Sequence, residues 1–214
     1  MILVVTRSTQ ERAFRTRRAL ICAAAKVFDE AGYSGAGVTR ILAEAGLTHG
    51  AMYFHFKSKE ELARAVMLEQ ASDLDLPEEP QGLQQLVDLT FMLAVELRHN
   101  RMLRAGVRLA VDPGGPARHD GSIYRWWAEL FEKELLVARE KGELRPEVDE
   151  QDFALALVGA YTGTQVMSEI ISERDDLPRR ITALWRYVLP AVATPDVQAG
   201  LTFDGAPAGW GKRP

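Results

Sequence analysis

The sequence predicts an all-α protein with a small N-terminal helix-turn-helix domain and a larger helical body. Three observations predict it. Apolar residues recur at three- and four-residue spacing through most of the 214-residue chain. No alternating apolar and polar run is long enough for a strand. Gly, Pro and Ser/Thr residues fall where helices must begin and end.

The first helix is read from Arg12 through Phe28 on the spacing of Ala13, Leu20, Ala24, Val27 and Phe28, with Ala31-Gly32-Tyr33 closing it. Thr39 is read as the cap of a short helix through Ile41, Leu42 and Ala45, which Gly46 ends. Thr48 caps another short piece, Gly50 to Phe56. Only Gly46-Leu47-Thr48 separates the two, which is the helix-turn-helix arrangement that places its second helix in the DNA major groove. Ser58-Lys59-Glu60-Glu61 is a capping box opening a fourth helix to about Asp73. Further helical segments follow at about 82 to 98, 100 to 110, 121 to 141, 150 to 172 and 178 to 190. Leu74 to Gly82 reads as a linker and Asp112 to Pro116 as a loop. The domain expectation is therefore a DNA-binding domain over 10–57, a body over 58–194, and a flexible tail over 195–214.

Composition excludes several classes. With 47% apolar and 26% charged residues, overall disorder is ruled out. The one cysteine, Cys22, sits in the run Ala19 to Ala25 and can form neither an internal disulfide nor a thiolate cluster. The apolar start gives way to Thr6 and Arg7, too soon for a signal peptide, and no stretch reads as a membrane span, so a cytoplasmic protein without membrane contact is expected. Charge is divided unevenly. Residues 1–59 hold nine Lys/Arg to four Asp/Glu, whereas the remaining 155 hold 17 to 26. A basic segment on an acidic body suits a module that meets nucleic acid joined to one that does not.

The chemistry concentrates in the short helix from Thr48 to Phe56. Met52 and Phe56 can face inward together while His49, Tyr53 and His55 stay outward, and Gly50 and Ala51 permit a close backbone approach. Phosphate donors are available from Thr39, Thr48, Tyr53, Lys57 and Lys59; base edges fall to His49 or the Thr48 hydroxyl. Phe54, like Phe56, is read as core. The body offers Gln70, an amide on the stripe of Leu62 and Val66, and Thr162, Thr164 and Gln165, which interrupt the apolar run Leu155 to Met167. For these, a satisfied internal hydrogen bond is as good a reading as ligand contact. Glycine-rich phosphate loops, metal-binding His-Glu helices and nucleophile elbows are missing from the sequence, and His49, His55, His99 and His119 lack metal-ligand spacing. An enzyme is not expected, nor a metal or cofactor.

The 25 positions from Val38 to Leu62, VTRILAEAGLTHGAMYFHFKSKEEL, closely resemble the DNA-binding domain of the TetR family of transcriptional repressors. That resemblance implies all-helical homodimers whose larger domain binds an inducer, phosphate contacts by Thr39, Thr48, Tyr53 and Lys59, and a base-reading place for His49. Many members carry Lys where this chain has the shorter, mostly neutral His49, which leaves the preferred base open. Tyr53 to Ala63, Leu103 to Ala110 and a tryptophan after the loop further resemble the γ-butyrolactone autoregulator receptors of actinomycetes. This second likeness implies release by a diffusible lactone, butenolide or furan and control of antibiotic genes, while a dimer presenting two reading helices should prefer a pseudo-palindromic double-stranded operator. Trp127 then stands where the subgroup has its pocket tryptophan, with ordinary core packing as the other reading; of Trp126 and Trp127, about 100° apart on a helix, one at most faces a pocket. Ile181, Leu184, Trp185 and Val188 form a stripe that is either intrachain core or, with residues 155–171, the intersubunit four-helix bundle the family likeness implies. The alternative reading is a DNA-binding regulator of this fold that answers to a protein partner instead of a small molecule.

Overall fold

The computed structural model describes residues 2–118 and 120–203; for residues 2–9 the description is of the backbone alone. Among these residues the chain forms α1 (Ile2–Gly35), α2 (Val38–Ala45), α3 (His49–His55), α4 (Lys59–Leu68), α5 (Leu83–His99), α6 (Arg101–Val111), α7 (Ser122–Glu140), α8 (Glu150–Ser172), α9 (Leu177–Val192) and α10 (Pro195–Gly200). The described chain contains no β-strand; a lone antiparallel bridge joins Leu144 to Ala193. No helix among the described residues is long and apolar enough to cross a membrane.

Local chemistry explains most boundaries. Gly32 bends α1 by adopting φ 67°, a conformation costly to any residue with a Cβ. The cap of α2 is Gly37, not Thr39, and no side chain caps it, so Thr39 falls inside the first turn. Ser58 caps α4 as expected, accepting from the Glu61 amide, while the Glu61 carboxylate takes the Lys57 amide. The helix stops at Leu68, five residues short of the expectation, because the chain turns from Glu69 to Asp73.

The chain divides into two compact units that cut across the domain lines drawn at 57/58 and 194/195. One comprises Met1–Asp73 and Asn100–Gly121, the other Leu74–His99 and Ser122–Pro214. In the first unit α1 packs on α2, α3, α4 and α6. Leu20, Ala24, Val27 and Phe28 of α1 meet Ile41 and Leu42, Met52 and Phe56, Leu62 and Val66, and Leu103 and Leu109 in one buried set. Each large member contributes about 1.5 to 3 kcal/mol by leaving water. Polar ties fasten α6 to the end of α1. Arg104 pairs with Asp29, Arg108 Nη1 donates to the Asp29 carbonyl at 2.5 Å, and the Tyr33 amide donates to Asp112 at 3.1 Å.

The second unit is built from α5 and α7 to α10. Its α5 starts on two glutamates. Glu134, buried, accepts from the amides of Gln81 and Gly82 at 2.7 and 3.0 Å and from Gln85 Nε2 at 2.7 Å; Glu143 takes the Leu83 amide at 2.8 Å. A negative charge at a helix start satisfies donors that have no partner inside the helix. Gly82 is required there, with φ 98° and a Cβ position only 2.6 Å from Glu143 Oε2. Thr90 ties three helices: its hydroxyl accepts from Trp185 Nε1 at 2.8 Å, and its carbonyl accepts from the Tyr161 hydroxyl at 3.2 Å.

Two expectations are corrected here. Ile181 and Trp185 are fully buried beside Leu177, Leu189 and Val192, so they are intrachain core and cannot meet a partner subunit. Leu184 and Val188 are half-buried. The helix α9 carries apolar residues on two faces, and spacing alone cannot say which is inner. The tail expectation also fails in part. Residues 195–200 form α10, and Thr202 exchanges two hydrogen bonds with the Gln84 amide at 3.0 and 3.2 Å. Residues 204–214 lie outside the described residues, as does His119.

Candidate functional site

Helices α2 and α3 are set by their caps. Gly46 takes φ 63°, letting its own amide reach the Ala43 carbonyl and the Leu47 amide reach Leu42. Two residues later Thr48 accepts from the Ala51 amide at 3.3 Å and starts α3. Met52 and Phe56 are buried against the rest of the unit and fix the rotation of α3. Thr48, His49 and Gly50 are thereby exposed, and Tyr53 is half exposed. The His49 and Tyr53 rings lie near-parallel with centroids 6.4 Å apart. Lys57 is exposed beside them, its Nζ 3.0 Å from the Tyr53 carbonyl, and Thr39 is exposed at the start of α2. The structure thus brings Thr48, His49, Gly50, Tyr53 and Lys57 onto one surface.

The remaining members of the DNA set are placed otherwise. His55 is half-buried, its ring edge-on to Phe54 and tilted against Phe56. Lys59 Nζ donates to the carbonyls of Tyr33 and Ala36 at 2.8 and 3.1 Å and stands 4.3 Å from the centre of the Tyr33 ring. Two of its three donors therefore close the end of α1, leaving one for a phosphate. Phe54 is the larger surprise. It is 74% exposed, not core. A helical wheel of α3 would have found it, because Phe54, two residues on from Met52, falls on the far side of the helix.

The residues read as ligand contacts fall in both units. Trp127 is 9% exposed, edge-on to Trp126 and 6.4 Å from the Phe131 ring; Trp126 is the outward member of the pair. Gln165 is buried and its Oε1 accepts from Arg174 Nη2 at 3.3 Å, while Thr162 and Thr164 are half-buried. Nearby in sequence, Tyr161 is buried, which pushes its hydroxyl pKa well above the ordinary value and keeps it a donor. Gln70 belongs to the first unit. Its amide is 1% exposed, Nε2 donates to the Met67 carbonyl at 3.0 Å, and Oε1 has no hydrogen-bond partner among the described residues. It packs on Gly106, where a Cβ would stand 2.4 Å from the Gln70 Cβ. No cluster of three His, Cys, Asp or Glu suited to a metal occurs among the described residues.

Exposed apolar side chains line α8, and one more stands on α9. Leu155, Met167, Ile170, Ile171 and Tyr187 are exposed, with Gly159 and Gly163 completing the outward stripe of α8.

Comparison with known proteins gives these surfaces a context. Residues 20–66 match the family described as bacterial regulatory proteins, tetR family, and residues 81–194 match the tetracyclin repressor-like C-terminal domain. The A-factor receptor protein of Streptomyces griseus is 40% identical over 201 residues, which is 92% of this chain and 70% of the relative. The solved structure of full-length native TylP, a TetR regulator from Streptomyces fradiae, gives a TM-score of 0.78 at 39% identity. It covers 90% of this chain and 93% of TylP. A γ-butyrolactone receptor, an ArpA-like protein, gives a TM-score of 0.67 at 34% identity, over 88% of this chain and 94% of that one.

Proposed function

Because this chain belongs to the TetR family and is a helix-turn-helix transcriptional repressor close to the γ-butyrolactone receptors, we propose that it is a cytoplasmic homodimer released from its operator by a small lactone, butenolide or furan. The observation that carries the DNA half of this reading is the rotation of α3. Met52 and Phe56 hold it so that Thr48, His49, Gly50 and Tyr53 face outward, with Lys57 alongside. In a dimer, two such helices read half-sites about one turn of DNA apart, hence a pseudo-palindrome.

Dimerisation is assigned to the stripe of Leu155, Gly159, Gly163, Met167 and Ile170 on α8, with Leu184, Tyr187 and Val188 on α9, in place of the buried Ile181 and Trp185. The signal is assigned to the apolar interior of the second unit, where Trp127 supplies an aromatic wall and Thr162, Thr164 and Gln165 the polar groups that orient a ring. Gln70 offers an unpartnered buried acceptor. The protein acts by binding, without chemistry, and the genes it holds silent are assigned to antibiotic production.

The test is a mobility-shift titration of the full chain. A duplex selected from a random pool should be retained, and one member of a panel of butyrolactones, butenolides and furans should release it. Retention without release by any member would remove the small-molecule half of the reading and favour a protein partner. Sedimentation in the absence of DNA should show a dimer.

A further inference from the structure

Among the exposed aromatic side chains of the described residues, Tyr53 and Phe54 lie within the surface assigned to DNA, and of the two Phe54 is the more exposed and carries no polar atom. On a helix turning about 100° per residue, Met52 marks the buried face of α3, and Phe54, two residues on, points to the far side from it. It is thus the side chain of α3 that stands furthest from the core of its unit. Gly50, one turn earlier on the same outward face, has an open Cβ position, its nearest neighbour being Thr48 Oγ1 at 3.9 Å. Nothing there blocks an approaching surface. The Phe54 ring is held edge-on by His55, with centroids 5.0 Å apart and planes at 90°. A phenyl group 74% exposed contributes little to the folded monomer.

The surroundings identify what covers it. Donors flank the ring: Thr48, His49, the Tyr53 hydroxyl and Lys57 are exposed on or beside α3, and residues 1–59 carry a net charge of +5. A lipid or protein groove would meet apolar neighbours; a polyanion meets donors. In the DNA major groove the apolar feature available to such a ring is the C5-methyl group of thymine. We propose that Phe54 reads a thymine in each half-site through that methyl group, making it a specificity residue that supplies no hydrogen bond. This rests on the operator-binding reading, and the experiment separates the two.

The full-length protein is used first to select an operator from random duplexes. Each thymine of that operator is then replaced in turn by deoxyuridine, which keeps the base pair and removes only the methyl. One position per half-site should weaken wild-type binding about four-fold, the worth of one buried methyl-sized group. Phe54→Ala should bind the thymine and uracil operators equally, with unchanged circular dichroism and an unchanged salt slope, whereas Phe54→Leu should keep part of the discrimination. Lys57→Ala, by contrast, should lower the salt slope and leave thymine discrimination intact. Wild-type indifference to uracil at every position overturns the proposal, as does a Phe54→Ala protein that still discriminates. Failure of the wild type to select any sequence overturns the operator reading itself and the proposal with it.

Discussion

Arg104 on α6 grips Asp29 on α1 with two nitrogens: Nε lies 3.1 Å from both carboxylate oxygens and Nη2 2.8 Å from Oδ2. The neighbouring Arg108 holds the carbonyl of the same aspartate. Both side chains of the pair are largely buried, so the contact is only partly screened by water. It makes α6, which follows α5 in the chain, a structural part of the unit that carries α3. Any ligand that displaces α6 must therefore move or strain α1.

The first prediction follows from the planar geometry of that grip. Arg104→Lys keeps the charge but loses the fork, and Asp29→Asn loses the charge-assisted partner. Each should lower stability by about 1 to 3 kcal/mol. Urea denaturation measures this. In ligand titrations on operator DNA, Arg104→Lys should also shrink the factor by which inducer lowers DNA affinity, because α6 then moves with less effect on α1. A variant with wild-type stability and wild-type coupling would make the pair ornamental.

Lys59 and Tyr53 should separate stability from affinity. Lys59→Ala removes two hydrogen bonds to the end of α1 and a cation held over the Tyr33 ring, so it should cost about 1 to 2 kcal/mol of stability as well as some operator affinity. Tyr53→Phe, at a half-exposed site, should leave the melting temperature unchanged and weaken every operator to a similar extent. Thermal melts with parallel mobility shifts at two salt concentrations decide it. Equal melting temperatures for Lys59→Ala and the wild type would mean that the lysine is held by DNA alone.

How far the fold was legible in the sequence can be traced to the kind of signal. Thr48, Ser58 and Gly46 were readable because a cap is a local event between residues three or four apart, and the structure has each of them in place. Thr39 was misread because the chain enters α2 at Gly37, whose backbone needs no side chain to start a helix. Phe54 was misread because an aromatic residue usually signals core; the position of Met52 contradicts that signal only when the helix is drawn as a wheel. For Ile181 and Trp185 the sequence left two readings, intrachain core or subunit interface, and burial decides for the core. Their stripe was genuine, but whether it faces its own chain depends on Thr90 in α5, 95 residues from Trp185, whose hydroxyl takes the indole N–H. The union of α6 with α1 was beyond reach for the same reason, since Arg104 and Asp29 lie 75 residues apart.

Asp176 gives a pH signature to the second unit. Hydrogen bonds from the Ser168 and Ser172 hydroxyls, then Arg180, hold its pKa down from 3.8 to about 2. A carboxylate whose folded value is depressed adds stability that is complete above its unfolded value and disappears as pH falls through the folded one. Asp176→Asn should therefore be less stable than the wild type at pH 7. The gap between the two should hold down to about pH 4 and close toward pH 2. Chemical denaturation along a pH series reads the gap; one that stayed constant through pH 2 would show that the loss is steric.

Trp127 tests the assignment of the signal. Its ring is almost wholly buried against Phe131, with Trp126 shielding one edge, so it contributes both packing and an aromatic wall. Truncation to alanine should reduce ligand affinity by aromatic contact worth about 1 to 3 kcal/mol, roughly a 5- to 150-fold loss. It should also lower stability, because the vacated space refills incompletely. The DNA contacts belong to the other unit and should be untouched. By linkage, a ligand that lowers operator affinity has its own affinity lowered by operator to the same factor, and Trp127→Ala should shift the ligand concentration needed for release without changing that factor if α6 and α1 are intact. A mobility-shift titration, with circular dichroism confirming the fold, gives both quantities. Release of Trp127→Ala at the wild-type ligand concentration would assign the tryptophan to the core alone, and would move the search for the signal to the unpartnered oxygen of Gln70, where Gln70→Leu should then abolish release while leaving operator binding in place.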